Sequence, residues 1–154
     1  IGTNPELTPI NIIPIIEGAM NYLCSRSSKK VIYDINLPKE EEIILPINQC
    51  LLEWVLENLS KNAIDAMGGI GTLSLEMSQD NKRVIIDISD TGKGMQKKEF
   101  KKIFEAGYTT KERGWGMGLS LAKRIIEEYH HGKIFVKQSV IGKGTTFRIM
   151  LKKL

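Results

Sequence analysis

The sequence predicts an α/β fold of the two-layer kind, a mixed β-sheet with helices packed on one face. Segments of period-2 alternation are interleaved with amphipathic segments of helical spacing, which is the first observation behind that expectation. The second is punctuation: Pro38, the pair Gly68-Gly69 and Gly142 stand at the joins between such segments. The third is element order, in which helices and strands alternate along the chain as a layered architecture requires.

Pro5, Pro9 and Pro14 mark the start as an extended arm leading into a helix over about Ile12 to Ser27. Val31 to Leu37 alternates as a half-buried strand does, Pro38 ends it, and a short strand is expected near Ile43-Ile44-Leu45. From Asn48 the spacing turns helical, with Leu52, Val55, Leu56, Leu59 and Ala63 on one stripe and Gly68-Gly69 as the stop. Strands follow at Thr72 to Met77 and Val84 to Ser89, joined through an Asp80-Asn81 turn. A glycine-punctuated stretch from Asp90 to Gly118 holds one short helix near Lys97 to Phe104. Leu119 to Tyr129 reads as an amphipathic helix with Leu121, Ala122, Ile125 and Ile126 inward, and Ile134 to Lys137 and Thr146 to Leu151 are the last strands.

The 154 residues, 42% hydrophobic and 26% charged, suit one folded core. The longest apolar run, Ile12-Ile13-Pro14-Ile15-Ile16, is far short of a membrane span and broken by proline. A net charge of +4 raises the question of nucleic acid, but the lysines are scattered and no aromatics alternate with them as a base-stacking platform needs. Lys97, Lys98, Lys101 and Lys102 read as the solvated face of a short helix. Cys24 and Cys50 have neither metal nor disulfide spacing and are expected to be small buried apolar residues in a reducing cytoplasm. His130 and His131, followed by Gly132, read as a helix end.

Four groups of residues carry chemistry. Asn58 and Asn62 are four apart and share a helix face, with Lys61 and Asp65 on adjoining ground. Two carboxamides one turn apart beside a lysine can hold a hydrated Mg²⁺ and a polyphosphate, although alone they read more readily as a solvated face. Asp90-Thr91-Gly92-Lys93-Gly94 follows an apolar strand, so its Asp sits at a strand end and its glycines permit close backbone approach. Gly114-Trp115-Gly116-Met117-Gly118 opens directly into a helix, a geometry that offers backbone amides and a helix dipole to an anion. A dinucleotide fingerprint would need Gly-x-Gly-x-x-Gly after a strand, and neither condition is met. Last, Gly142-Lys143-Gly144-Thr145 opens the final strand.

In this order and within one hundred residues, these motifs resemble the Bergerat-type nucleotide-binding fold shared by histidine kinases, type II topoisomerases, mismatch-repair ATPases and heat-shock chaperone ATPases. Ile103-Phe104-Glu105, then Tyr108-Thr109-Thr110-Lys111, and Gly116-Met117-Gly118-Leu119-Ser120 resemble the histidine-kinase forms in particular. Ala106-Gly107 in place of the usual Pro-Phe, and Trp115 at a position that is normally small, depart from that pattern.

The resemblance implies ATP and Mg²⁺ as ligands. It implies Asn62 as metal ligand, with Asn58 and Lys61 supporting the triphosphate. Asp90 would bind the adenine amino group, Gly92 and Gly94 would shape its pocket, and Thr145 would reach the base through water. Lys111, Gly116, Met117, Gly118 and Leu119 would face the phosphates. Hydrolytic members carry a glutamate base four residues before the metal-binding asparagine; Asn58 stands there and cannot take a proton from water. The implied activity is transfer of the γ-phosphoryl to a histidine on a dimerisation domain, then onward to a response regulator. The implied organisation is one catalytic domain over residues 1–154, residues 1–9 being the end of a linker. Nucleic acid is not an expected partner, the location is the cytoplasm, and no part of this stretch is expected in a membrane.

Overall fold

The computed structural model describes residues 5–39, 41–108 and 118–154. Lys111, Gly116, Met117 and Trp115 lie outside them. Seven strands are described: β1 (Thr8–Asn11), β2 (Val31–Asn36), β3 (Ile44–Ile47), β4 (Gly71–Gln79), β5 (Arg83–Ser89), β6 (Lys133–Val140) and β7 (Gly144–Lys152). Three α-helices accompany them: α1 (Ile12–Arg26), α2 (Gln49–Ala66) and α3 (Gly118–Arg124), the last running into a π-helical turn at Ile125–Tyr129. Five strands form a mixed sheet in the order β2-β4-β5-β7-β6, with β2 parallel to β4 and the other neighbours antiparallel. The sandwich expected from the sequence is the one observed.

The extended arm becomes β1, which pairs antiparallel with β3 as a separate two-stranded sheet. Asn11 connects that sheet to α1, because its side-chain oxygen accepts from Ile13 N at 3.2 Å as the helix cap and from Ile43 N at 3.1 Å. Pro14 is tolerated in the first turn, where its missing N–H has no intrahelical partner to lose. Asn48 caps α2 through Leu51 N at 3.1 Å, and Gly68 and Gly69 end it at φ of 65° and 79°.

The α2 stripe of Leu52, Val55, Leu56, Leu59 and Ala63 is buried as its spacing predicts. It lies over the alternating inner residues Val84, Ile86 and Ile88 of β5 and Phe147, Ile149 and Leu151 of β7, all buried. Each such side chain contributes about 1.5–3 kcal/mol by leaving water. On the other face of the same strands Asp87 and Arg148, directly paired in register, form a two-pronged ion pair at 2.8 and 2.9 Å. The Arg148 guanidinium beside Asp87 holds its carboxyl below the usual carboxylate range.

Three expectations are corrected. Cys24 and Cys50 are exposed, since α1 buries the Ile16-Met20-Leu23 side and Cys50 points outward from the first turn of α2. Leu121 is 39% exposed, because the inward line of the helix is centred on Ala122, Ile125 and Ile126 and leaves Leu121 at its rim. The single short helix near Lys97 to Phe104 is two 3₁₀ turns, Lys97–Glu99 and Lys102–Phe104. The Phe104 and Phe147 rings pack edge to face at 6.1 Å between centroids, which fastens the second turn to β7.

His131 adopts φ 57°, in the left-handed region that favours glycine. Replacing this exposed residue, His131→Gly, should raise stability by about 0.5–1 kcal/mol. A shift of the denaturant midpoint at constant slope would measure it, and a fall in midpoint would show that the His131 side chain contributes more than its backbone strain costs.

Candidate functional site

The site is built around the end of β5, where the chain leaves the sheet at Asp90. The Asp90 N–H donates to Thr145 O at 2.9 Å, and the Thr145 N–H returns to Asp90 Oδ1 at 3.2 Å. The same Oδ1 accepts from Gly92 N at 2.8 Å. One carboxylate oxygen thus clasps the turn after β5 and the start of β7 together. Oδ2 accepts no hydrogen bond among the described residues. Asp90 is only 8% exposed, and burial raises its carboxyl pKa above the ordinary value, against the opposing pull of the two amides.

Two glycines make that clasp possible. Gly144 has φ 127°, and a Cβ on it would fall on the Asp90 carbonyl oxygen. A Cβ on Gly92 would stand 2.5 Å from the Ala66 carbonyl oxygen at the end of α2. The neighbouring Lys93 N–H donates to that same carbonyl at 3.0 Å, so the turn is stitched to α2. On its other side Gly142 N donates to Lys93 O at 2.8 Å, while Gly94, at φ 70°, lies against the Val140 carbonyl. The Asp-x-Gly-x-Gly turn is therefore held between the end of α2 and the β6–β7 hairpin.

Sequence reasoning missed several parts of this frame. Ser139 Oγ accepts from Met95 N at 2.8 Å and lies 2.7 Å from Thr145 Oγ1, so the Thr145 hydroxyl has a protein partner. Thr91 Oγ1 accepts from Thr72 N at 3.1 Å and joins the turn to β4. A polar side chain just before the Gly142 turn was the available sign for Ser139; Thr91 had none beyond its place between Asp90 and Gly92.

The second half of the site lies on α2 and the start of α3. Asn58 is half-buried against Gly118, where a Cβ would come within 2.7 Å of Asn58 Nδ2. That buried Nδ2 is without a hydrogen-bond partner among the described residues. Asn62 follows one turn on and is half-buried, and Lys61 beside it is exposed. Leu119 is half-buried on the core. An orphaned carboxamide one turn from a second one, beside a lysine, is a donor set suited to a polyphosphate with a hydrated divalent cation. Among the described residues no His, Cys, Asp and Glu cluster gathers as a metal site.

Asp90→Asn should keep the clasp, since an amide oxygen accepts the same two N–H groups. Because the folded-state pKa is raised above 3.8, the stability that Asp90 contributes is full below that value and lost as pH rises through the folded pKa. The ligand-free variant should therefore melt above the parent near neutral pH, and the gain should vanish in acid. Thermal unfolding at both pH values checks this, and a lower melting point at neutral pH would contradict it.

Known proteins share this fold. A catalytic domain of the histidine kinase ThkA, solved in a nucleotide-free form, superposes with a TM-score of 0.86 at 26% identity, covering 97% of both chains. ThkA solved in complex with the response regulator protein TrrA gives 0.82 at 23% identity over 96% of this chain and 42% of that one. Sensor histidine kinase ZraS of Salmonella typhimurium is 36% identical over 146 residues, which are 94% of this chain and 31% of ZraS. Sporulation kinase E of Bacillus subtilis is 44% identical over 101 residues, 65% of this chain and 13% of that protein. The chain thus spans about a third or less of the length of these two relatives. Residues 48–154 match the family described as histidine kinase-, DNA gyrase B-, and HSP90-like ATPase, and the chain belongs to that family.

Proposed function

We propose that this chain is the ATP-binding catalytic domain of a sensor histidine kinase, and that it passes the γ-phosphoryl of ATP to a histidine on a dimerisation domain. The observation that carries the kinase reading is Asn58. It occupies the place, one turn before Asn62, from which a glutamate would activate water, and a carboxamide cannot accept that proton. Glu57 is adjacent but about 100° away around the helix. A site that binds the triphosphate without a base for water suits transfer to an external nucleophile.

The unpartnered Oδ2 of Asp90 would accept from the adenine amino group, with Gly92 and Gly94 forming the pocket wall. Asn62 would hold Mg²⁺, with Asn58 and Lys61 nearby, and the bound ion would neutralise charge on the β- and γ-phosphates. The Gly118 end of α3, with Lys111, Gly116, Met117 and Leu119, would complete the phosphate side. An imidazole nitrogen of the acceptor attacks the γ-phosphorus in line, the bond to the bridging oxygen breaks, and ADP leaves. The domain's contribution is positioning and charge neutralisation.

Of the two histidines in this chain, His130 is buried with both ring nitrogens engaged, which supports an acceptor elsewhere. Residues 1–154 would be one catalytic domain, and Thr8 and Pro9, expected to end a linker, already pair with β3 as part of it. This domain would lie in the cytoplasm; separately, no helix among the described residues is long and apolar enough to cross a membrane. A response regulator would receive the phosphoryl group next, as the ThkA–TrrA assembly suggests by analogy.

Incubated alone with γ-labelled ATP, the chain should retain almost no acid-labile phosphate. With dimerisation helices from its parent added in trans it should label their histidine, slowly because no tether raises the local concentration. Labelling should require Mg²⁺ and should fall with Asn62→Ala. Strong acid-labile labelling of the chain itself, abolished by changing His131, would overturn the assignment of the acceptor.

A further inference from the structure

His130 is a buried titratable residue that the chemistry above does not use. It is 3% exposed and follows the π-helical turn at Ile125–Tyr129. Its Nε2 lies 3.1 Å from the backbone N of Asn48. A backbone N–H can only donate, so Nε2 is the unprotonated nitrogen and Nδ1 carries the hydrogen. Nδ1–H in turn donates to Ile125 O at 2.9 Å, a carbonyl that also accepts from His130 N at 3.0 Å. The imidazole is thereby fixed in one tautomer and one orientation between two helices.

Its partner is placed to matter. Asn48 is the cap of α2, with its side-chain oxygen on Leu51 N and its Nδ2 donating to Glu6 O at 3.2 Å. Ten residues along α2, about 15 Å on, Asn58 packs against Gly118 at the other end of the helix that leads to His130. The two helices therefore run antiparallel and are joined at both ends. The His130–Asn48 bond makes one join. The other is the Asn58–Gly118 contact within the candidate phosphate site, where Asn58 Nδ2 has no hydrogen-bond partner among the described residues.

We propose that His130 is a positioning residue for nucleotide binding: its bond to Asn48 sets the axial register of α2 against α3, and so the spacing between Asn58 and Asn62 on one side and the Gly118 helix start on the other. The inference rests on the reading that these two helices flank the phosphates. Its physical basis is that a helix slides as a rigid rod, so a bond at the far end constrains the near one.

Two substitutions separate this role from simple stabilisation. In His130→Asn the shorter amide still reaches Ile125 O from the Nδ1 position but no longer reaches Asn48. In His130→Gln the amide oxygen reaches the Nε2 position and restores an acceptor for Asn48 N. Both variants should lose stability in denaturant unfolding. Affinity for Mg-ADP by calorimetry should fall about tenfold in the Asn variant and largely recover in the Gln variant. Equal affinities in both variants, whether unchanged or equally reduced, would overturn the proposal. A measurement on the unaltered chain guards against variants that do not fold. Coupling is reciprocal, so Mg-ADP should slow hydrogen exchange at the Asn48 amide; exchange unchanged at saturating Mg-ADP would also overturn it. Should the unaltered chain bind no Mg-ADP, the nucleotide reading fails instead, and the two failures are told apart by that first titration.

Discussion

Asp90 Oδ1 accepts both the Gly92 and the Thr145 amides, and this shared oxygen joins the turn after β5 to the start of β7 at the mouth of the sheet. Everything else at this end of the fold accommodates that clasp. Gly144 must lack a side chain for β7 to begin so close to the Asp90 carbonyl, and Gly92 must lack one for the turn to reach the end of α2. The burial that makes the clasp tight also raises the carboxyl pKa, so the residue is held at some cost to the fold. A costly buried carboxyl retained at a strand end is what a binding role looks like in energetic terms.

The second support is the pair of antiparallel helices. α2 is held by its leucine stripe over the sheet and capped at Asn48, while its far end receives the Asp-x-Gly-x-Gly turn at Ala66. The Asp90 half and the Asn58–Asn62 half of the candidate site therefore share one rigid element. Asn58, Lys61 and Asn62 are exported from that element at fixed spacing, and the orphaned Asn58 Nδ2 lies where α3 begins.

Much of this was legible in the sequence. The α2 stripe, the β5 alternation and the turn at Asp80, whose Oδ1 accepts from Lys82 N and Arg83 N at 2.8 Å each, followed from periodicity and turn chemistry. So did the order of the four motifs, which is a statement about chain spacing alone. Less legible were side-chain contacts from one element to another: the Ser139–Thr145 hydroxyl pair across the β6–β7 hairpin, the Thr91–Thr72 bond and the His130–Asn48 link, the last across 82 residues. Periodicity carries no signal for them. The π-helical turn at Ile125–Tyr129 was missed because a single turn of five residues is too short to show a period of its own in the apolar pattern. The exposed Cys24 and Cys50 were misplaced because composition gives a residue's average burial and not its helix face.

The central claim is that the second oxygen of Asp90 selects adenine through its exocyclic amino group. Binding of ADP can be compared by calorimetry with that of purine riboside diphosphate, which differs only in lacking this amino group. Loss of a hydrogen bond to a charged, buried acceptor should weaken the analogue by about tenfold or more, and Asp90→Asn should narrow the difference. Equal affinity of the unaltered chain for the two diphosphates would contradict the account.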